Sequence, residues 1–539
     1  MALGTLASRV TGMLRTIVLV PALGPYALAN AYNVGNTLPN TVYNLAIGGI
    51  LTSVIVPLLV NAAKRDADGG DRYSQRLFTL VTLILAAVTV AATALADPIA
   101  TLFGCASKAC SGTPAAADYR QVLIIFSYFF IPQIFFYGVS SLAGAVLNAR
   151  GHFAAPMWTP VINNIVVIGV TITFMIITGV FTGRHPGVTT ITPREVQLLG
   201  IGTTLGIVAQ TAALIPALRR AGFRWRPRFD FRRADVSEIG RMAGWMSGYI
   251  LTTQVAFFVT VKVADHANVA VQTRGVGAGY TAYASAWMLF QLPYAIVAIS
   301  VITALLPRMS ANAAEGRLDR VRSDFSTGLR LGSAIVAPAA LILAIIGPSL
   351  AVVMFAWGST NIASAHYFGV VFSVFSAGLM PYLLFQLLLR VFYSVHDSKS
   401  AAKVGAATMV VNVATNLIAL AIVPTHDLVA ALGLGFGLAN LAGSVIAWRI
   451  LSQRLGGLEG KQIRSSLLRM HAAAVPGGLL ALVVVAVSGS VLPPGKLSAT
   501  LVLVVGGAGG LLTYVVSARA LQATEVTGII ALVRSRLGK

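Results

Sequence analysis

Apolar runs of about 20 residues recur from residue 3 to residue 521, and they constrain this chain more than any other feature. Such a run, coiled as a helix, just crosses the hydrocarbon of a bilayer. Only helices and closed barrels satisfy their backbone polar groups there. Membrane strands would show short segments alternating apolar and polar residues, and none is evident. Of the 539 residues 10% are charged and 56% hydrophobic, with mean hydropathy +0.80. A soluble chain carries about a quarter charged residues. The expected fold is therefore an all-α polytopic membrane protein with about fourteen transmembrane helices. Their approximate limits are 3–24, 28–62, 76–103, 119–149, 156–181, 196–219, 237–264, 280–307, 325–347, 365–394, 403–423, 429–452, 467–491 and 498–521. No cleavable signal peptide is evident, and the chain enters its first span without a basic leader. The native start is therefore expected slightly upstream.

The net charge of +22 matters through its placement. Connections after even-numbered spans are basic, most densely Arg219, Arg220, Arg224, Arg226, Arg228, Arg232 and Arg233. Connections after odd-numbered spans hold only scattered cations. By the positive-inside rule both termini are expected in the cytoplasm, in a multi-pass membrane protein. Because the cations are spread over every inner loop, nucleic acid is not expected as a partner, and attraction to anionic membrane lipids is.

An internal repeat supports a two-lobed plan. Pro57 with Asn61-Ala62-Ala63 corresponds to Pro307 with Asn312-Ala313-Ala314, and Pro132 with Asn163 to Pro381 with Asn412. All are about 250 residues apart, so the first six spans and the next six look like parallel copies, a common transporter arrangement. The expected divisions are 1–235, an N-terminal lobe of six helices; 236–455, a C-terminal lobe of six; and 456–539, two further helices and a tail.

None of the 17 acids falls in the middle of a span. The intramembrane charges are instead Arg9 and Arg15, with Lys262 and Arg390 close to span ends where snorkelling explains them. A guanidinium at membrane depth costs about 3 kcal/mol on insertion scales, so it normally faces water or an anion. Arg9 lies early enough to snorkel as readily as to face a cavity. Arg15, two turns deeper, favours the cavity. The next helix carries Asn30, Asn33, Asn36 and Asn40 three or four residues apart, along one slowly turning face. These asparagines, with Gln254 and Gln291 in the seventh and eighth spans, suit either substrate hydrogen bonding or helix packing. The cationic positions attract anions, and the planar fork of arginine suits phosphate. Nothing in the sequence has metal-ligand spacing, a phosphate loop or a nucleophile motif, so no catalytic residue, metal or cofactor is expected. Cys105 and Cys110 share one polar connection on the expected outer side, where they are expected to bridge as a disulfide, the alternative being two free thiols.

The ordered set Ser8-Arg9-x-x-Gly12-x-x-Arg15, Leu38-Pro39-Asn40, Val56-Pro57, Leu147-Asn148-Ala149-Arg150-Gly151, Gln291-Leu292-Pro293, Leu306-Pro307-Arg308-Met309-Ser310 and Arg390-Val391-Phe392-Tyr393-Ser394 resembles the MurJ/MviN lipid II flippases of the MOP exporter superfamily. The wording is closest to the actinobacterial branch, and the resemblance covers essentially the whole chain. It implies two six-helix pseudo-repeat lobes around a central cavity, plus two C-terminal helices forming a groove for a polyprenyl tail. It implies a membrane transporter, not an enzyme. The substrate is then lipid II, a polyprenyl diphosphate carrying a disaccharide-pentapeptide, moved from inner to outer leaflet by alternating access. Arg9 and Arg15 match functional family positions one for one. The chain departs from the Gram-negative pattern at Asn30, where aspartate is usual. It departs again at Tyr43, Gly48, Met288 and Gln291, where paired arginine and glutamate positions are lost together. The site residues expected to bind substrate are Arg9, Arg15, Asn30, Asn33, Asn36, Gln254 and Gln291. Two other readings remain: a flippase for another polyprenyl-diphosphate-linked saccharide, and a non-transporting scaffold that recruits cell-wall synthesis proteins through its basic loops.

Overall fold

The computed structural model describes residues 2–45, 59, 70–104, 114–230, 248, 250–267, 276–297 and 301–528. They form two compact units, Met1–Gln272 and Thr273–Lys539. Every regular element among the described residues is helical.

In the first unit the order is α1 (Ala2–Leu23), α2 (Ala27–Tyr43), α3 (Asp71–Ala94), α4 (Ala96–Gly104), α5 (Pro114–Phe130), α6 (Gln133–Ala149), α7 (Ala154–Thr178), α8 (Pro193–Ala212), α9 (Leu214–Arg220) and α10 (residues 250–267). The second unit follows with α11 (Tyr280–Val297), α12 (Thr303–Ala314), α13 (Leu318–Phe355), α14 (Ile362–Ala377), α15 (Leu379–Ser394), α16 (Ser398–Ile422), α17 (Leu428–Leu455), α18 (Gly460–Val491) and α19 (Lys496–Ala520). Among the described residues ten helical segments have the length and apolarity to cross a membrane, and the pair α14–α15, bent by 47°, makes an eleventh. These eleven answer one for one to expected spans. The other three, 28–62, 237–264 and 280–307, each include residues outside the description.

The repeat seen in the sequence has structural counterparts. Pro132 lies in the turn between α5 and α6, and Pro381 lies in the first turn of α15, just after Gly378 ends α14. Proline cannot donate into the preceding turn, so both units break the corresponding helix at the same place. Gly378 also touches Gly437 of α17 so closely that a Cβ on it would sit 3.2 Å from the Gly437 Cα. The other half of the marker, Pro57 and Asn61, lies outside the described residues.

The motif residues outside the spans act mostly as fasteners. Arg150 pairs with Asp71, donates 3.0 Å to the Ala221 carbonyl, and lies 5.3 Å over the Phe223 ring. Gly151 then turns the chain with φ +78°, a conformation glycine adopts without strain. In the second unit Asn312 donates 2.8 Å to Asp324, and Arg308 lies 3.3 Å from the same carboxylate. Asp397 caps α16 through the Ser400 amide and pairs with Arg454 at the end of α17. Thr192 and Glu195 form a capping box on α8, with Arg184 on the same glutamate at 2.6 Å.

Helices α18 and α19 cross at glycines. A Cβ on Gly477 would stand 2.3 Å from the Gly510 carbonyl oxygen, so the contact is backbone to backbone. The pair is tied to α13 by Tyr514, which donates 2.8 Å to the Ala334 carbonyl. Beyond α19, Glu525 meets Arg330 of α13 at 2.6 Å and accepts 2.8 Å from Ser466 of α18.

Candidate substrate-binding site

Helix α1 is held by α7. Asn164 donates 3.2 Å to the Ser8 carbonyl and 3.0 Å to the Thr11 hydroxyl. Gly4 leaves room for Trp158, whose indole nitrogen would stand 3.0 Å from a Cβ there. This anchoring fixes the rotation of α1 and with it the two arginines. Six residues at 100° each place them about 120° apart around the helix, so they do not share one face. Arg9 is exposed and Arg15 half-buried. Arg15 lies within electrostatic reach of the Tyr32 and Tyr137 hydroxyls, on α2 and α6. Among the described residues it has no carboxylate partner.

Helix α2 is positioned by Tyr32. Its ring is buried edge-on to Phe126 and Phe130, at 5.6 and 5.2 Å, and its hydroxyl shares a 2.7 Å hydrogen bond with Thr203 of α8. Gly35 allows the close approach to α5, since a Cβ there would already be 3.3 Å from that of Phe126. The asparagine stripe turns as it rises, because three residues fall about 60° short of a full turn. Asn30 is accordingly sealed in the core at 0% exposure, Asn33 and Asn36 are half-buried, and Asn40 is exposed. The side-chain oxygen of Asn36 is buried with no hydrogen-bond partner among the described residues. A buried amide oxygen left in that state is a standing acceptor for a ligand hydroxyl or amide.

Gln254 is half-buried on α10, which packs in the first unit: Phe103 meets Phe258 at 4.9 Å, and Tyr119 donates 2.8 Å to the buried Asp265. Gln291, also half-buried, belongs to the second unit. The structure thus gathers Arg9, Arg15, Asn30, Asn33, Asn36 and Gln254 into one compact unit and Gln291 into the other. Lys262 lies 5.6 Å from the Phe258 ring, and Arg390 lies 5.9 Å from that of Tyr393. Cys105 and Cys110 lie outside the described residues.

Sequence reasoning missed two groups. Asn164 was not singled out, although an Asn163-Asn164 doublet inside an apolar helix is itself a signal, since each amide needs a partner in lipid. The aromatic surroundings of Gln291 were also missed. Trp287 and Tyr294 are four residues before and three after it on one helix face. Trp287 meets Phe436 at 5.1 Å, and Tyr294 meets Tyr382 at 4.8 Å.

The described acids bear out their peripheral placement. Asp71, Asp97, Asp118 and Glu195 lie in the first turns of their helices or close to them, and Asp324 and Asp265 near helix ends. The most buried ones are partnered: Asp265 by Tyr119, Asp324 by Arg308, Glu195 by Arg184 and Glu525 by Arg330. Among the described residues no group of His, Cys, Asp or Glu could hold a metal ion.

Helices of membrane length, a span broken near a proline at corresponding places in the two units, and a half-buried guanidinium without a carboxylate among the described residues define a class: polytopic membrane transporters with an internal repeat. More narrowly, the chain belongs to the lipid II flippase MurJ family, whose model matches residues 19–504. The match begins beyond Arg9 and Arg15, so the standing of those two residues rests on their geometry. A probable lipid II flippase MurJ of Haemophilus influenzae is 25% identical over 430 residues, covering 77% of this chain and 79% of that protein. A lipid II flippase MurJ of Burkholderia cenocepacia is 22% identical over 442 residues, covering 81% and 80%. Among solved structures, a lipid II flippase MurJ in an inward closed conformation superposes with TM-score 0.73 at 15% identity, covering 96% of this chain and 98% of that one. An inward-facing multidrug resistance MATE family transporter of the MOP superfamily gives 0.65 at 15% identity, over 84% and 96%. The fold is that of the MOP transporters.

Proposed function

We propose that this chain moves lipid II from the inner to the outer leaflet of the bacterial plasma membrane by alternating access. Membership of the family supports the substrate. The observation that carries the mechanism is Arg15: a half-buried guanidinium within electrostatic reach of two tyrosine hydroxyls, without a carboxylate among the described residues. A charge so placed is held ready for an anion, and the diphosphate of a polyprenyl-linked headgroup offers one with matching fork geometry. Arg9, exposed on the same helix, meets the diphosphate first or receives it from Arg15. Asn33 and Asn36 donate and accept hydrogen bonds to sugar or peptide, with the Asn36 oxygen, unpartnered among the described residues, as the readiest acceptor. Gln254 and Gln291 act in the same way. Asn30 serves from within the core, by fixing the face that its neighbours present.

The basic connections support a topology with both termini in the cytoplasm. The repeat supports lobes of residues 1–235 and 236–455, with 456–539 forming the groove for the polyprenyl tail. Lipid-facing Leu479, Leu482, Leu512 and Val516 of α18 and α19, all exposed, suit such a chain. The test is depletion of the protein in cells. Lipid II accessible at the outer surface should fall while total lipid II rises, and re-expression should restore it. Unchanged outer-surface lipid II on depletion refutes the assignment.

A further inference from the structure

A second feature of the first unit is not explained by headgroup transport. Between α3, α6, α8 and α9 lies a groove of about 760 Å³, within the range of small-molecule sites. Its walls are apolar, with Phe78, Phe135, Phe136, Val139 and Val208 among the lining residues. One end is different. There Arg219, at the end of α9, and Arg224, in the segment that follows, join the lining together with Trp225.

That segment is strapped in place. The Trp225 indole donates 3.2 Å to the Thr79 hydroxyl, the Arg228 amide donates 3.1 Å to the same oxygen, and the Phe78 ring is 5.4 Å from that of Trp225. Phe223 is buried beneath the Arg150 guanidinium. The neighbouring cations are engaged: Arg150 pairs with Asp71 and Arg228 lies 3.9 Å from Asp230. Arg219 and Arg224 are exposed and have no carboxylate partner among the described residues. Thr82 also lines the groove, and its hydroxyl oxygen is buried without a hydrogen-bond partner among the described residues. On the same helix Thr79 donates to the Gln75 carbonyl at 2.8 Å, whereas the hydroxyls of Thr82 and Thr89 have no such partner among the described residues, and of these two only Thr82 lines the groove.

We propose that this groove is a binding site for an anionic glycerophospholipid of the surrounding bilayer. An acyl chain lies along the phenylalanine and valine walls, the phosphate sits on Arg219 and Arg224, and an ester oxygen near the headgroup accepts from Thr82. Charge complementarity selects the occupant. The groove is too apolar along its length for a free anion, and two guanidiniums at its end without a carboxylate among the described residues favour a negative headgroup over a zwitterionic one. Tryptophan beside arginine is the pairing expected at headgroup depth. The second unit holds a groove of similar make, about 630 Å³, among α13, α15, α17 and α18, with Trp448, Arg449 and Arg464 in its lining. Three of these helices are the repeat counterparts of those around the first groove, so the construction belongs to the repeated lobe.

The site is tested on the purified full chain, without lipid II, so its outcome is separate from that of the transport assignment. Retained lipids are counted by native mass spectrometry and thermal midpoints followed with phosphatidylglycerol, phosphatidylcholine or inorganic phosphate added. The wild type should retain phosphatidylglycerol and be stabilised by it, and not by phosphatidylcholine. Arg219→Gln with Arg224→Gln should hold one phosphatidylglycerol fewer, with affinity lower by about tenfold or more, from roughly one headgroup attraction lost per arginine. Because neither arginine has a carboxylate partner among the described residues, the double variant should fold. Ala212→Trp, which fills the groove from its exposed side, should remove the same lipid while leaving both arginines in place. Equal retention of the two lipids by the wild type would overturn the proposal. So would undiminished phosphatidylglycerol in either variant, or stabilisation by inorganic phosphate equal to that by the lipid.

Discussion

Replacing Arg15 by alanine separates a substrate ligand from a structural residue, and its size can be worked from the surroundings. Arg15 is half-buried and has no carboxylate partner among the described residues, so its removal strands no acid. The stability cost is then the packing of the side-chain stem, about 1 kcal/mol or less. The substrate cost is larger. A fork of two charge-assisted hydrogen bonds to a diphosphate, at about 1.5–3 kcal/mol each, amounts to about 3–6 kcal/mol. That corresponds to roughly a hundredfold to ten-thousandfold loss of headgroup affinity. The control is Arg184→Ala, which leaves Glu195 buried without its partner and should lower the thermal midpoint markedly. The assay is lipid II binding and thermal midpoint of the purified variants, together with rescue of growth in cells depleted of the wild type. Arg15→Ala should keep its midpoint and fail in binding and growth. Arg15→Lys should recover part of both, since the charge remains and the fork is lost. Wild-type affinity in Arg15→Ala, or a midpoint loss as large as that of Arg184→Ala, refutes the anion-site argument.

Three further outcomes follow from other parts of the chain. Burial raises the Glu525 carboxyl, but its backbone hydrogen bond, the Ser466 hydroxyl and Arg330 outweigh burial and hold it below its ordinary value. A depressed folded-state pKa stabilises above the unfolded value and is lost as pH falls through the folded one. Glu525→Gln should therefore lower the thermal midpoint at neutral pH and flatten its decline in acid, and a parallel decline in both proteins would count against the clamp. Export of an anionic headgroup is helped by an inside-negative potential, about 2.3 kcal/mol per charge per 100 mV. With no acid at mid-span in the sequence, dissipating the potential alone should stall lipid II export and collapsing only the pH gradient should not; the reverse result would direct attention to the buried Asp265 and to Asp97. If Cys105 and Cys110 lie on the oxidising outer side as a bridge, thiol labelling without reductant should find neither, and two labelled thiols would exclude it.

The membrane class, eleven of the spans, the repeat and the peripheral placement of the acids could all be read from the chain, because each depends on hydropathy and spacing along it. A helix long enough to cross a bilayer is a local property, and so is a proline that breaks it. What became of the polar residues on those helices was decided by packing. The spacing of Asn30, Asn33, Asn36 and Asn40 predicts a turning face, but only the seating of Tyr32 against Phe126, Phe130 and Thr203 turns Asn30 into the core and leaves Asn36 with an unmatched oxygen. Arg9 and Arg15 look alike in the sequence. Their difference comes from the rotation that Asn164 imposes on α1 through Ser8 and Thr11. The arginines from 219 onward read as one basic loop, yet the structure pairs Arg228 and leaves Arg219 and Arg224 without a carboxylate among the described residues, at the mouth of an apolar groove. Hydropathy reports how much of a helix avoids water, while the rotation of each helix against its neighbours determines which polar group is left to meet a ligand.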